Sequence, residues 1–166
     1  MKQSRIIATC GMMTAFAVVI MVAGALLGIG MYASPMIAGL SLVPIGEKFG
    51  KKYHASVWIA VSLLSFMLIP EIEQNLMFLC VFGSYPILYS YFQKLSPKIR
   101  IAAKLFYFNI VIVAMEYIIM TLLVPEVLDK VWLIVLLVGA NVVFLCYDKI
   151  IPNTGKLMKR FKTVSR

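Results

Sequence analysis

Glu116 and Asn109 are polar residues inside an apolar stretch of the chain. The stretch, residues 99–124, reads IRIAAKLFYFNIVIVAMEYIIMTLLV, and from Leu105 onward it is long enough to span a bilayer, which takes roughly 20 residues. Their seven-residue separation brings the two side chains onto nearly the same helix face. A charged side chain at the centre of a membrane helix costs roughly 2.5–3.5 kcal/mol, so such groups normally face protein or water. The pair therefore predicts a sheltered polar site within the membrane.

Three interpretations of Glu116 follow from its position. The carboxylate contacts a substrate or a coupling ion, as intramembrane acids often do. Alternatively, it has a structural role and forms a hydrogen bond with Asn141 or Tyr85. In the third interpretation it faces lipid and is protonated, because burial disfavours the charged form of a carboxyl group. If it binds substrate, a neutral or cationic, amine-bearing molecule is favoured, because Lys130 is the only basic residue predicted on that side of the membrane.

The composition predicts an integral membrane protein. Hydrophobic residues make up 62% of the 166 residues and charged residues only 14%, whereas a soluble domain is nearer half apolar and a quarter charged. The formal net charge of +9 is confined to predicted loops and termini, so membrane orientation explains it better than nucleic-acid binding. Three cysteines, Cys10, Cys80 and Cys146, form no CxxC pair and are interpreted as inert thiols.

Six apolar segments predict a single all-α membrane domain with six transmembrane helices. The predicted spans are 6–28, 31–49, 53–70, 74–92, 102–124 and 128–148, followed by a basic cytoplasmic tail, 149–166. Pro44 is expected to kink the second span, and Pro86 should remove a backbone hydrogen bond and locally open the fourth. Such breaks are tolerated at membrane depth where they are buried or line a cavity.

The distribution of charge predicts a multi-pass protein of the cell membrane with both termini cytoplasmic. All 16 Lys and Arg residues except Lys130 fall on one side of the six-span arrangement, and cytoplasmic loops carry the excess of positive charge. Glu116 then lies about 12 Å before the outer end of its span, at 1.5 Å per residue. Polar groups of other spans share this outer half or the midplane, which predicts an outward-facing pocket. The predicted pocket residues are Glu116, Asn109, Asn141, Gln74, Asn75 and Tyr85.

The residue types argue against an enzyme. The single histidine, His54, is placed in a cytoplasmic loop beside Tyr53, so intramembrane Ser/His hydrolysis is not expected. No grouping of His, Cys and acidic residues predicts a metal site, and the glycines of GIGMYAS lack the lysine of a phosphate-binding loop. We expect no cofactor. What remains is a binding or transport component, or a structural partner of other membrane proteins.

Small residues recur along the first span. Ala8, Gly11 and Ala15 follow one another at three- and four-residue steps, a spacing that lets another helix approach closely in lipid. The simpler interpretation is packing against another span of the same chain. Six short spans, cytoplasmic termini and a small-residue first helix together resemble the substrate-binding S component of an energy-coupling factor (ECF) transporter. In that family an alanine-xxx-alanine pattern of the first helix docks on the coupling subunit, and Gly11 replaces one of the alanines here.

The resemblance implies a binding subunit that works with other chains. Its partners would be a transmembrane coupling subunit and two ATPase subunits, which fits the lack of a nucleotide-binding loop here. A small, vitamin-like molecule would bind in an outward-facing pocket formed by the outer halves of the later helices. The loop between the first two spans, residues 28–34, would close over it, and its glycines suit a lid.

Two other functions are compatible with the sequence. A scaffold of the MreD type, which organises cell-envelope machinery, has the same general helical layout and needs no polar outward pocket. A stand-alone secondary transporter commonly shows internal repeats, and residues 1–80 show no convincing likeness to residues 81–166. These readings differ in the partners that they predict: ECF subunits, cell-envelope proteins, or none.

Overall fold

In an α-helix, every backbone N–H and C=O group is paired within the segment, which a long apolar segment needs in a membrane. The computed structural model is accordingly all-helical. The structure describes residues 3–28, 32–122 and 130–164, with side chains for 3–28, 32–119 and 137–154. Within these ranges no strand occurs, which confirms the all-α prediction. The elements are α1 Gln3–Leu27, α2 Ala33–Phe49, α3 Lys51–Leu68, α4 Ile72–Met77, a π-helical turn Phe78–Phe82, α5 Tyr85–Phe92, α6 Pro97–Leu122 and α7 Lys130–Val164.

Three helical segments of the described chain are long and apolar enough to cross a membrane, which fits a membrane protein. They are Gln3–Leu27, Ile72–Phe92 and Pro97–Ile119. Helix α2 is shorter, with 17 residues, and contains Pro44. Helix α3 begins with Lys51 and Lys52, which lower its mean hydropathy. The six-span count and the sides of the termini therefore stay predictions.

The chain divides into two compact units, Met1–Tyr89 with Ile150–Arg166, and Ser90–Lys149. In the first unit, α1, α2, α3 and the π-helical turn share a hydrophobic core. Its members recur at three- and four-residue steps along each long helix, which places them on one face. They are Ala17, Val18, Met21, Ala38, Leu42, Ile45, Val57, Val61, Ile69 and Phe78.

Helices α1 and α2 approach each other closely where a glycine faces a serine. A Cβ atom added to Gly24 would overlap the Cβ and Oγ atoms of Ser34. In contrast, a Cβ atom added to Gly11, on the same helix, would meet nothing within 4 Å. The two glycines of α1 thus have different roles: Gly24 permits helix packing inside the unit, whereas Gly11 lies on an open surface.

The fourth predicted span is a broken helix, as Pro86 predicts. Helix α4 widens into the π-helical turn, in which the Gly83 N–H donates to the carbonyl of Phe78, five residues back, at 2.8 Å. The hydroxyl of Ser84 donates to the Cys80 carbonyl at 2.8 Å. Helix α5 then begins at Tyr85, so Pro86 falls in its first turn, where a missing N–H costs least.

In the second unit, α6 runs antiparallel to the part of α7 that belongs to this unit. Residue 104 pairs with 148, and residue 109 pairs with 141. Helix α7 continues through Pro152 to Val164. The first part of the predicted tail, up to residue 164, is therefore a continuation of the last helix.

Substituting Gly24 or Gly11 of α1 with alanine should have different effects on the free energy of unfolding. Gly24→Ala should lower the free energy of unfolding by about 1–3 kcal/mol, because the new methyl group overpacks the contact with Ser34. Gly11→Ala should be neutral or raise it by up to about 1 kcal/mol through helix propensity alone. Thermal unfolding in detergent measures both. Equal effects of the two variants would contradict the close α1–α2 contact.

Candidate functional site

The predicted pocket residues are divided between the two units. Gln74, Asn75 and Tyr85 belong to the first, and Asn109, Glu116 and Asn141 belong to the second. Their surroundings differ: some of these polar groups bond to each other, while others bond to the backbone of a neighbouring helix. This difference distinguishes polar groups whose hydrogen bonds are complete from a group that keeps an unpaired buried atom.

Asn109 of α6 and Asn141 of α7 form a reciprocal pair. Each Nδ2 donates to the other's Oδ1 at 3.0 Å. The remaining N–H groups donate to the carbonyls four residues back, Leu105 at 2.8 Å and Leu137 at 2.7 Å. A carboxamide has two N–H donors, so all four donors of the pair are used. Asn141 therefore has no N–H left for Glu116, and the pair is a helix-to-helix contact.

Further contacts continue this pairing along α6 and α7. The Lys104 ammonium donates to both carboxylate oxygens of Asp148, at 2.6 and 2.9 Å, with only 7% and 23% of the two side chains exposed. One turn further along, the rings of Phe108 and Phe144 stack with their centroids 4.2 Å apart. The sequence interpretation placed Lys104 only among the cytoplasmic cations and gave Asp148 no role. Matching four-residue steps in the two helices were the available signal.

Glu116 lies beside the buried stripe of α6. The fully buried residues of this helix are Lys104, Phe108, Ile112 and Met115, and Glu116 is half-buried next to them. It follows Asn109 by seven residues on nearly the same face. Glu116 therefore lies near the face of α6 that carries the contacts with α7.

In the first unit, Gln74 and Asn75 are buried at the start of α4. Gln74 is 1% exposed and donates from Nε2 to the Met21 carbonyl of α1 at 2.8 Å. Asn75 is fully buried and donates from Nδ2 to the Ile69 carbonyl at 3.0 Å. The Oδ1 atom of Asn75 is also buried, yet it accepts no hydrogen bond. An unmet buried acceptor costs about 1–3 kcal/mol, so it points to a ligand or a bound water at this place.

The predicted lid between the first two spans begins and ends with described residues. Gly28 has a left-handed φ of +64°, which suits glycine. After it, the Tyr32 hydroxyl donates to the Glu73 carboxylate at 3.3 Å. Residues 29–31 of the lid lie outside the described residues. Tyr32, within the predicted lid, is thus bonded to the residue that precedes Gln74. The last two residues of the predicted lid, Ala33 and Ser34, belong to α2, and Ser34 is buried.

His54 is not in a loop, and that prediction was wrong. It lies in the first turns of α3 with 2% of its side chain exposed. Its Nε2 atom donates to the Gly83 carbonyl at 3.1 Å, and the ring also contacts the Leu42 backbone. The neighbouring lysines made the segment look like a polar loop. The buried carbonyl groups that the ring satisfies come from helices distant in the chain, so local sequence did not reveal them.

Trp58, one turn after His54 in α3, donates a hydrogen bond to the π-helical turn that breaks the fourth predicted span. Its Nε1 atom donates to the Leu79 carbonyl at 3.1 Å. A Cβ atom added to Gly83 would lie 2.8 Å from that Nε1 atom and 2.9 Å from the Phe78 carbonyl oxygen. Two side chains of α3, at a four-residue step, thus bind two carbonyls of the broken helix. Sequence reasoning missed both residues.

Tyr85, the third predicted pocket residue of the first unit, follows this break. Its side chain is fully buried and meets the Tyr89 ring edge to face, with centroids 6.2 Å apart. Such aromatic pairs contribute about 0.5–1.5 kcal/mol beyond their area. Tyr85 therefore has a packing role at the start of α5.

The predicted partner-contact residues lie on the outer face of α1. Ala8, Gly11 and Ala15 are all exposed, whereas the core residues Ala17 and Met21 of the same helix are fully buried. The small-residue stripe is therefore not used for packing within the first unit. It leaves a smooth strip on which another helix could lie.

No group of three His, Cys, Asp or Glu side chains suited to a metal ion occurs among the described residues. The cysteines Cys10, Cys80 and Cys146 are free thiols. Comparisons with protein-family models, with curated proteins and with solved structures gave no match to this chain. The function is therefore argued from the residues and their contacts.

The Asn109–Asn141 pair should show energetic coupling. Asn109→Leu and Asn141→Leu each leave a partner amide unpaired, so the double variant should be less destabilised than the sum of the single variants by about 0.6–2 kcal/mol. Unfolding in detergent gives the three free energies. The control cycle combines Asn109→Leu with Gln93→Ala, which removes only the contact with Arg100 and should be additive. Additivity in both cycles would contradict a direct amide pair.

Proposed function

We propose that this chain is the membrane-embedded substrate-binding subunit of an ECF-type importer. It captures a small, vitamin-like molecule from the outer side of the cell membrane and delivers it through a separate coupling subunit and two ATPase subunits. Six membrane crossings with cytoplasmic termini are part of this proposal. Three apolar helices of spanning length support it, as does the positive charge carried by the predicted inner loops.

The observation that carries the proposal is the unmet acceptor of Asn75. Buried polar groups are nearly always hydrogen-bonded, and every other buried side-chain oxygen or nitrogen in the described part of the chain has a partner. An orphaned amide oxygen beside a second buried amide, Gln74, is expected where a ligand supplies the missing donor. The proposed substrate therefore carries an N–H or O–H group that binds Asn75.

The surroundings of Asn75 suit a site that opens and closes. The Tyr32–Glu73 hydrogen bond is long, at 3.3 Å, and it connects the proposed lid, just before α2, to the residue before Gln74. A typical hydrogen bond contributes about 0.5–1.5 kcal/mol net. The proposed lid moves only up to Tyr32, because Ser34 belongs to α2 and packs against Gly24 of α1.

The outer face of α1 suits docking on the coupling subunit. Helix association in lipid depends on close packing, because the hydrophobic effect gives no driving force there. Ala8, Gly11 and Ala15 offer that packing and are exposed. A Cβ atom on Gly11 would meet open space, so a larger residue there leaves the subunit itself unchanged.

Asn75→Leu should reduce retention of the bound metabolite by about tenfold, which corresponds to about 1.4 kcal/mol, because the substrate donor loses its acceptor. Leucine is close in size and removes the orphaned oxygen, but it also removes the hydrogen bond from Nδ2 to the Ile69 carbonyl, so thermal unfolding is measured to check that the variant folds. Small molecules extracted from the purified variant are quantified by mass spectrometry against the unaltered protein. Unchanged retention by a folded variant would mean that the oxygen binds no ligand.

The same assay tests the carboxylate of the second unit separately. Glu116→Gln keeps the shape and removes the charge, so retention of a cationic substrate should fall. Glu47→Gln is the control, because Glu47 is exposed near the end of α2 and is predicted on the opposite side of the membrane. Equal retention by all three proteins would remove Glu116 from the list of substrate contacts.

Gly11→Leu should abolish co-purification with the coupling and ATPase subunits from native membranes. A leucine side chain on the exposed strip separates the two helices, while metabolite retention should stay unchanged. Phe16→Leu is the matched control, because Phe16 is 56% exposed on another part of the same helix. Recovery of cell-envelope proteins instead of ATPases, with no bound metabolite, would replace the importer by a structural scaffold.

A further inference from the structure

A cavity of about 150 Å³ lies between α6 and α7 in the second unit. Its walls are mostly apolar and include Ile101, Leu105 and Leu145. Ile101 and Leu145 are 57% and 44% exposed, so the cavity is open along the side of the helix pair.

The polar end of the cavity contains one ion pair and one additional cation. Lys104 is held by both oxygens of Asp148, which neutralises the two charges against each other. Lys149 also lines the cavity and is exposed. No salt bridge to Lys149 occurs among the described residues. The cavity thus has one positive charge in excess, at its rim.

The segment that leads into α6 adds to this charge. Lys94, Lys98 and Arg100 precede the cavity residue Ile101, and residues 90–104 contain no acidic side chain. The Arg100 guanidinium donates to Gln93, and the Lys94 ammonium lies 5.7 Å from the ring centroid of Tyr91. Lys98 is exposed. This end of the second unit is therefore positively charged next to an apolar cavity.

We propose that this cavity binds an anionic phospholipid, with the Lys149 ammonium on the headgroup phosphate and an acyl chain against Ile101 and Leu145. Basic pockets between membrane helices attract anionic headgroups, and each lysine near the membrane surface contributes roughly 1 kcal/mol. The apolar walls favour a lipid over a free phosphate ion, because inorganic phosphate has no group to cover them. The site is independent of the substrate site in the first unit.

The test compares two lipids on the purified protein in a neutral detergent. Dioleoyl phosphatidylglycerol and dioleoyl phosphatidylcholine are added separately at equal concentration. For each lipid, native mass spectrometry measures the fraction of protein that carries one bound lipid molecule. Phosphatidylglycerol should occupy the unaltered protein about fivefold more than phosphatidylcholine, the factor that roughly 1 kcal/mol gives. Lys149→Gln should remove this preference. Equal occupancy by both lipids on the unaltered protein would overturn the proposal.

Two variants and one additional probe separate a defined site from diffuse attraction. Lys98→Gln removes an exposed lysine that does not line the cavity, so it should weaken the preference much less than Lys149→Gln. Leu145→Phe fills the apolar wall and should lower occupancy by both lipids. If Lys98→Gln acts as strongly as Lys149→Gln, the attraction is a property of the whole charged surface and the proposed site is wrong. If inorganic phosphate alone competes as well as phosphatidylglycerol, the ligand is a free anion and not a lipid.

Discussion

The structure depends on one constraint: polar groups placed among apolar helices must find hydrogen-bond partners within the protein. In the first unit several Ser and Thr hydroxyls donate to carbonyls of their own helices, whereas larger polar side chains donate to carbonyls of other elements. Gln74 donates to Met21 of α1, and His54 of α3 donates to Gly83. Each of these bonds joins elements far apart in the chain, so the few polar side chains also set how the helices lie against one another.

The break in the fourth predicted span follows from the same constraint. Proline cannot donate a backbone hydrogen bond, and the turn before Pro86 widens instead of continuing as a regular helix. The carbonyl groups near the break accept hydrogen bonds from α3 side chains, including that of Trp58. Gly83 leaves room for this ring. A helix that would otherwise be weakened by its proline is therefore stabilised by its neighbour.

Some polar side chains have all their hydrogen bonds made within the protein, whereas Asn75 keeps an unpaired oxygen. The Asn109–Asn141 pair uses all its donors, and the Lys104–Asp148 pair is nearly buried, so both contribute to helix pairing. Asn75 keeps an unmet acceptor. Equivalent carboxamides in a sequence give no sign of this difference, because it depends on what lies opposite each side chain. The proposed substrate site is argued from the unpaired oxygen of Asn75. The proposed lipid site is argued from Lys149, whose charge is in excess beside the Lys104–Asp148 pair.

The sequence by itself determined the helical class, the apolar character of the chain and the break near Pro86, because these depend on local composition and on backbone chemistry within a few residues. It also identified Gln74 and Asn75 as polar residues of interest, and it placed Gly11 within a small-residue stripe. Only the tertiary structure decided which asparagines pair and that His54 is buried. It also decided that Gly24, and not Gly11, packs against a neighbouring helix. Those outcomes depend on the register between helices that are distant in the chain, and spacing along one helix carries no information about that register.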